Sequence, residues 1–281
     1  MRSTRSRQVL TAALALVAPA LVLSSSCTKE EAAAPPPPPA QTTAPAPAAP
    51  PPPPAETKVE PSTPPAAAPG GGSASISGEV KLEGTPPQMQ PLKRGVDPVC
   101  AKKPMNDEQV LSRDGKLENV VVWVSEGAPA AGAPPAAPAK LEQIDCMYRP
   151  RVQAVQDGQM LEVHNGDKTL HNVRAVRGTK SLFNKAQVPG GPKITETARA
   201  GEVMQFKCDV HPWMKAFAVV VPHSYSDVTN ESGRFNIKDL PPGKYTVTAW
   251  HELFGTKKSE VTIQEGKASP ILFVYNVQDR E

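Results

Sequence analysis

"CDVHPWM", residues 208–214, places a thiol at Cys208, an imidazole at His211 and a thioether at Met214 in one short loop, directly after the strand-like run "GEVMQFK", residues 201–207. Donor side chains gathered at a strand end read as a metal loop. Taken singly, they also read as a turn histidine beside Pro212, a core methionine and a cysteine free to pair elsewhere. Donor chemistry separates the two readings. A thiolate with a thioether selects a soft ion, and zinc seldom takes a thioether. A mononuclear site that holds its ion through a change of charge wants a thiolate and two imidazoles in a trigonal set, with a weak thioether on the axis. The loop supplies everything except one imidazole.

The upstream stretch "LEVHNGDKTLHNVRAV", residues 161–176, offers two candidates for it, His164 and His171. His164 lies inside the apolar run "MLEVHNG", whereas His171 follows the turn-like "NGDKT" and opens a new strand, "HNVRAV". Strand alternation favours His171, whose side chain can point at the next loop. His164, His223 and His251 read as structural or solvated, and Trp213 as half buried beside the site. "WHELFG", residues 250–255, resembles the H-E-x-x-H of zinc proteases only superficially, because Gly255 stands where the second histidine must be.

Around these segments, short apolar or alternating runs recur between Gly and Pro turn signals: "SISGEVKLEG", "NVVVWV", "FAVVV", "GRFNI", "KYTVTAW", "SEVTI" and "ILFVYNV". They predict strands, and many short strands predict an all-β sandwich or barrel. No long amphipathic helix is visible, although "DEQVLSR", residues 107–113, could make a helical turn or two. The low-complexity insert "GAPAAGAPPAAPA", residues 127–139, reads as a surface loop, and the composition shift near Pro222 to Ser232 as a domain boundary.

Arg2, Arg5 and Arg7 precede an uncharged apolar run, Val9 to Leu23, which ends in "SSSC" at Cys27. That pattern is an export signal over residues 1–26, too short and too interrupted by Pro19 for a spanning helix. Residues 27–73 are nearly all Pro, Ala, Thr and small charged residues, with nothing to bury, and predict a disordered Pro/Ala-rich linker with a reach on the order of 100 Å. The net charge of the 281-residue chain is +3, with basic residues scattered, so composition gives no reason to propose nucleic acid as a partner.

Four cysteines are present: Cys27, Cys100, Cys146 and Cys208. With Cys27 at the export signal, three remain in an oxidising compartment, and one of them must be unpaired. Cys208 alone has His and Met beside it, which leaves a Cys100–Cys146 disulfide; the alternative is that Cys208 pairs with one of the other two and no metal binds.

The combination N-x5-H-N-V (Asn165, His171, Asn172, Val173) with C-x2-H-P-x-M (Cys208, His211, Pro212, Met214) resembles the amicyanin and plastocyanin group of cupredoxins. The resemblance runs from about Asn119 to Val221. It implies a Greek-key cupredoxin sandwich with one copper per chain held by His171, Cys208, His211 and Met214. It also implies that Asn172 hydrogen-bonds across to the ligand loop, and that the His211 edge lies at the surface as the exit for electrons. A binuclear centre would need a second cysteine in this loop, and a red-copper site a carboxylate in place of Met214. The cysteine after small residues resembles a bacterial lipobox and implies lipidation at Cys27. "TNESGRFNIKDLPPGKYTVTAWHE", residues 229–252, resembles the carboxypeptidase regulatory-like domain, a small transthyretin-like sandwich without catalytic residues, and "SISGEVKLEGTPP" resembles its opening strand. The expected division is a copper domain over 74–222, with 74–90 a candidate first strand of the other sandwich, and a regulatory-like domain over 223–281. The expected function is single-electron carriage, without enzyme activity, at the periplasmic side of a bacterial membrane, the outer one by the resemblance of Thr28 after the cysteine, with a periplasmic or membrane redox protein as partner and the membrane held through the lipid; the alternative is an ordinary secreted protein. A copper-storage protein and a non-redox β-sandwich binding module are the rivals.

Overall fold

The computed structural model describes residues 74–280 apart from 131, 202 and 266. The export signal, the Pro/Ala-rich linker and Cys27 lie outside the described residues. Among those described, the regular structure is strand apart from one short 3-10 turn, Cys100–Lys102, and no helix is long and apolar enough to cross a membrane.

The chain begins with β1 (Ala74–Glu83), β2 (Ser112–Arg113), β3 (Lys116–Leu117) and β4 (Val121–Glu126). It continues through β5 (Ala139–Ile144), β6 (Met147–Arg149), β7 (Val152–Gln156), β8 (Met160–Asn165), β9 (His171–Arg177), β10 (Lys180–Gln187), β11 (Ile194–Thr197), β12 (Met204–Lys207) and β13 (Lys215–Val221). It closes with β14 (Ser226–Val228), β15 (Arg234–Leu240), β16 (Gly243–His251), β17 (Gly255–Ile263) and β18 (Ala268–Asn276). The strands form four sheets. The first runs β15-β1-β3-β2 with β18 also on β1, the second β14-β4-β16-β17, the third β10-β9-β12-β13-β7 and the fourth β11-β8-β5-β6.

Burial gives the order in which the sheets stack. Ile76, Val80, Leu82, Phe235 and Phe273 of the first sheet share a core with Val122, Val124, Val247 and Ala249 of the second. Val173, Ala175, Phe206, Ala218 and Val220 of the third share another with Leu141, Tyr148, Leu161 and Val163 of the fourth. A third cluster joins the second sheet to the third: Val121 with Val152, Phe217, Val219 and Val221, flanked by Trp123 and Trp250. The described residues therefore form a four-layer stack, an outer sandwich backed on an inner one. The runs "NVVVWV" and "FAVVV" lack polar alternation because β4 and β13 are covered on both faces. Along β13, Ala216, Ala218 and Val220 face the inner core, while Phe217, Val219 and Val221 face the outer sandwich. Gly78 sits on the inward phase of β1, where a Cβ would come 2.5 Å from the Phe235 ring.

The strand pairing differs from the division expected between 74–222 and 223–281. β1 pairs antiparallel with β15 and parallel with β18, and β4 pairs with β14 and β16, so both belong with the C-terminal strands. The inner sandwich, β5 to β13, is an insertion into the outer one. The low-complexity segment after β4 carries the chain into it, and Pro222 to Tyr225 carries it back. "DEQVLSR" forms no helical turn; it runs extended into β2, with Val110 buried in the outer core.

A buried ion pair fastens the two sandwiches. Arg151, just before β7, donates from Nε and Nη2 to both oxygens of Glu252 beyond β16, at 2.5 and 2.8 Å, and the side chains are 4% and 2% exposed. Burial pushes the Glu252 carboxyl up against the pull of Arg151.

Candidate metal centre

Strand phase aims His171. Along β9, His171, Val173 and Ala175 are buried and point into the inner core. Along β8 the core takes Leu161, Val163 and Asn165, so His164 faces outward, where it meets Glu142 at 2.8 Å. Of the two candidate imidazoles, only His171 reaches the loop after β12.

There His171 Nδ1 lies 2.9 Å from His211 Nδ1, and His211 Nδ1 lies 3.7 Å from Cys208 Sγ. One nitrogen from each ring and the sulfur lie within 4.8 Å of one another. All three residues are buried, as is Met214, which shares the inner core with Cys208. The loop is held by Met214 N–H donating to His211 C=O at 2.9 Å and by Cys208 N–H donating to Met214 C=O at 3.4 Å. Asn172 ties it to β9: its Oδ1 accepts the Asp209 N–H, and its Nδ2 donates to Asp209 Oδ2 at 3.1 Å. Tyr148 reaches from β6 across the core and donates to the Asn172 and Lys207 carbonyls, at 2.8 and 3.2 Å.

Both imidazoles turn their other nitrogen onto a carboxylate. His171 Nε2 meets Asp167 Oδ2 at 2.9 Å, and His211 Nε2 meets Asp97 Oδ2 at 3.1 Å. Asp167 belongs to the β8–β9 turn, which Asn165 organises by donating to the Thr169 and Gln187 carbonyls and accepting the Asp167 N–H. Asp97 arrives from the long connection between β1 and β2, residues 84–111, which crosses over the metal end of the inner sandwich. A Cys100–Cys146 disulfide fixes that connection to the β5–β6 turn. Arg94 adds bonds to the Lys103 and Asp145 carbonyls, and Trp213 N–H donates to Cys146 C=O at 2.9 Å while its ring tilts against His211. Cys208 is the free cysteine among the described residues.

The resemblance placed the His211 edge at the surface. In this chain His211 is 0% exposed, and its edge is closed by Asp97 and by the disulfide-bound connection. Asp97 and Asp167 have no strand periodicity to mark them. Asp167 could have been found as the only carboxylate in the turn "NGDKT", whereas nothing local ties Asp97 to a loop 114 residues away.

The donor set fits a cation. If each Nε2 carries the proton it gives to its carboxylate, both Nδ1 atoms bear lone pairs directed at each other and at the sulfur. At 2.9 Å such a pair repels unless a positive charge lies between. His171 is pushed up to about 8, burial pulling it down while Asp167 and Cys208 together pull harder the other way. His211 moves down, because its burial outweighs Asp97. The Cys208 thiol also moves down: burial opposes this, but the His171 hydrogen bond and several backbone amides prevail.

Residues 215–275 match the family model of the carboxypeptidase regulatory-like domain. The match starts at β13 of the inner sandwich and runs through most of the C-terminal strands of the outer one. No curated protein matches the sequence. Among solved structures, the chain is similar to a purple cupredoxin from Nitrosopumilus maritimus, at 20% identity and a TM-score of 0.27, over 30% of this chain and 99% of that one. It is similar to amicyanin from Paracoccus versutus at 20% identity and a TM-score of 0.28, over 36% and 97%. It is also similar to a copper-containing nitrite reductase from Thermus scotoductus at 19% and 0.28, over 34% of this chain and 25% of that one.

Proposed function

We propose that this chain is an exported, mononuclear type 1 copper protein that carries single electrons. The observation that supports this best is the buried meeting of two imidazole Nδ1 atoms with a free thiol, the outer nitrogen of each ring already committed to a carboxylate. His171, Cys208 and His211 would hold one copper, and Met214, buried in the same core, would add a thioether donor. Copper supplies a one-electron couple, and the thiolate sets its covalent character. The chain's own part is to keep the donors fixed. Asn172 and Tyr148 tie β9 to the ligand loop, and β13, which leaves that loop, is packed on both faces, so the donor positions would change little with the charge they surround. The reading is a carrier and not an enzyme. Its partner would be a periplasmic or membrane redox protein. A lipid at Cys27 and a linker over 27–73 would hold the domain near a bacterial membrane on its periplasmic side.

Copper titration followed by visible absorption tests the reading. One copper per chain with an intense thiolate-to-copper band is expected. Cys208→Ser should abolish the band, and Met214→Gln should keep the copper while shifting the potential. Stoichiometric zinc with no coloured copper form would overturn it. Membrane fractionation of Cys27→Ser tests the anchor: release to the soluble fraction is expected, and full retention refutes lipidation there.

A further inference from the structure

The two carboxylates behind the imidazoles are built as one unit. Asp97 Oδ2 accepts from Thr169 Oγ1 at 2.6 Å and faces His211 Nε2 at 3.1 Å, while Asp97 Oδ1 accepts the amides of Val99 and Cys100 at 2.7 and 3.3 Å. Asp167 Oδ2 accepts the amide of Cys146 at 2.8 Å and faces His171 Nε2 at 2.9 Å. Each carboxylate thus takes an amide from one half of the same disulfide, Cys100 for Asp97 and Cys146 for Asp167. Thr169, from the turn that carries Asp167, donates to Asp97 and closes the ring. Neither carboxylate can turn away from its imidazole without breaking bonds to the other's support. Four groups thus converge on Asp97: the Thr169 hydroxyl, the amides of Val99 and Cys100, and His211 Nε2.

We infer that Asp97 and Asp167 are paired positioning residues that lock both ligand imidazoles in the Nε2–H tautomer and, by placing two negative charges behind the rings, favour the more oxidised state of the bound metal. This rests on the copper reading above. A carboxylate accepting from a ligand imidazole fixes the ring and raises its basicity. Two such anions in a buried site stabilise the higher charge on the metal more than the lower. Electrons would then cross the disulfide-bound connection near Asp97, since the His211 edge is shut.

The copper-loaded full chain is compared with Asp97→Asn, Asp167→Asn and the double variant. Asparagine can still accept the Nε2–H through its side-chain oxygen but carries no charge. Each single variant is expected to keep the visible band and shift the relative binding of Cu(II) and Cu(I) about tenfold toward Cu(I), which is about 59 mV upward for a one-electron couple. The double variant should move further than either. A purely structural role would leave the potential of a coloured variant in place, and unchanged potentials in both single variants overturn the inference. Nitrogen-15 spectra of the unmutated Cu(I) protein give a second test, independent of how the variants fold. Two Nε2–H protons protected from solvent exchange are expected on His171 and His211. An Nδ1–H tautomer, or exchange as fast as in an open imidazole, overturns it. If the unmutated chain bound no copper, the proposed function would fail before these comparisons could be made.

Discussion

In the outer sandwich, β1, β4 and β16 bury Ile76, Val80, Leu82, Val122, Val124, Val247 and Ala249. The inner sandwich buries comparable aliphatics at mid-strand but closes one end with Asn165, His171, Gln187, Cys208 and His211. The packing is alike and the ends are not. Most of the polar groups at that end have named partners: Asn165 donates to the carbonyls of Thr169 in its own turn and Gln187 at the end of β10, and Gln187 Nε2 donates to the carbonyls of Val163 and Pro192. A buried polar group without a partner costs about 1–3 kcal/mol, so such an end depends on these bonds and on a scaffold that keeps them in place. The outer sandwich supplies that stillness. It covers the second face of β13, the strand that leaves the ligand loop, and sends the β1–β2 connection over the metal end.

The sharpest way to break this relation is to break its fastening. Arg151→Ala leaves the Glu252 carboxylate buried without its partner, and removing one member of a buried pair costs about 3–5 kcal/mol. Urea unfolding should show that loss, with the transition splitting into two if the sandwiches then unfold apart. A loss under 1 kcal/mol would mean that the pair is not what holds the layers together. Replacing both residues, as Arg151→Met with Glu252→Leu, should recover most of the stability, because no unpaired charge remains.

The disulfide tests the second link, from the β1–β2 connection to the inner sandwich. Cys100→Ala with Cys146→Ala opens a loop of sequence separation 46 and should cost about 3–4 kcal/mol in the chain-entropy account. The same change frees Asp97 to leave His211. The copper-loaded variant should therefore become more open to small reductants or chelators, measured as faster bleaching of the visible band. Equal bleaching rates in parent and variant would show that the connection does not shield the ring edge.

How legible this arrangement was in the sequence follows the same contrast. β4, β13 and the C-terminal strands announced themselves through burial: an uninterrupted apolar run for strands covered on both faces, and alternation for "KYTVTAW" and "GRFNI". The donor loop was legible because Cys208, His211 and Met214 are local, and His171 because its turn and strand phase are local. β7, "VQAVQ", and β10, "KSLFNKAQ", were not seen. β10 is an edge strand in which only Gln187 is buried, so it carries no apolar stripe. The insertion of one sandwich into the other was left open, since β1 pairs with strands more than 150 residues away and its sequence cannot name them. Asp97 escaped for that reason too: "GVDPVC" looks like any loop until the disulfide brings it onto His211.

The smallest expected effect lies in the outer sandwich, at His251. Its ring stacks on Phe254 with centroids 4.8 Å apart, its Nδ1 accepts the Leu253 N–H at 3.2 Å, and its Nε2 is buried with no hydrogen-bond partner among the described residues. Burial first, and the nearby Arg151 charge second, push its pKa down to about 3. The unfolded chain takes a proton near 6.5, so as pH falls the unfolded state binds it first. Stability from this group is complete above about pH 6.5 and declines as pH drops toward about 3, with about 2 kcal/mol lost between pH 7 and pH 5. His251→Asn keeps a side-chain acceptor but cannot take up the proton. The fall in unfolding free energy from pH 7 to pH 5 should be smaller in the variant by about that amount, since every other titrating group is common to both proteins. Equal losses in the two would mean that His251 is charged in the folded state. In that case the outer sandwich would carry a buried charge with no partner, beyond the Arg151–Glu252 pair, and its contrast with the partnered polar groups of the metal end would weaken.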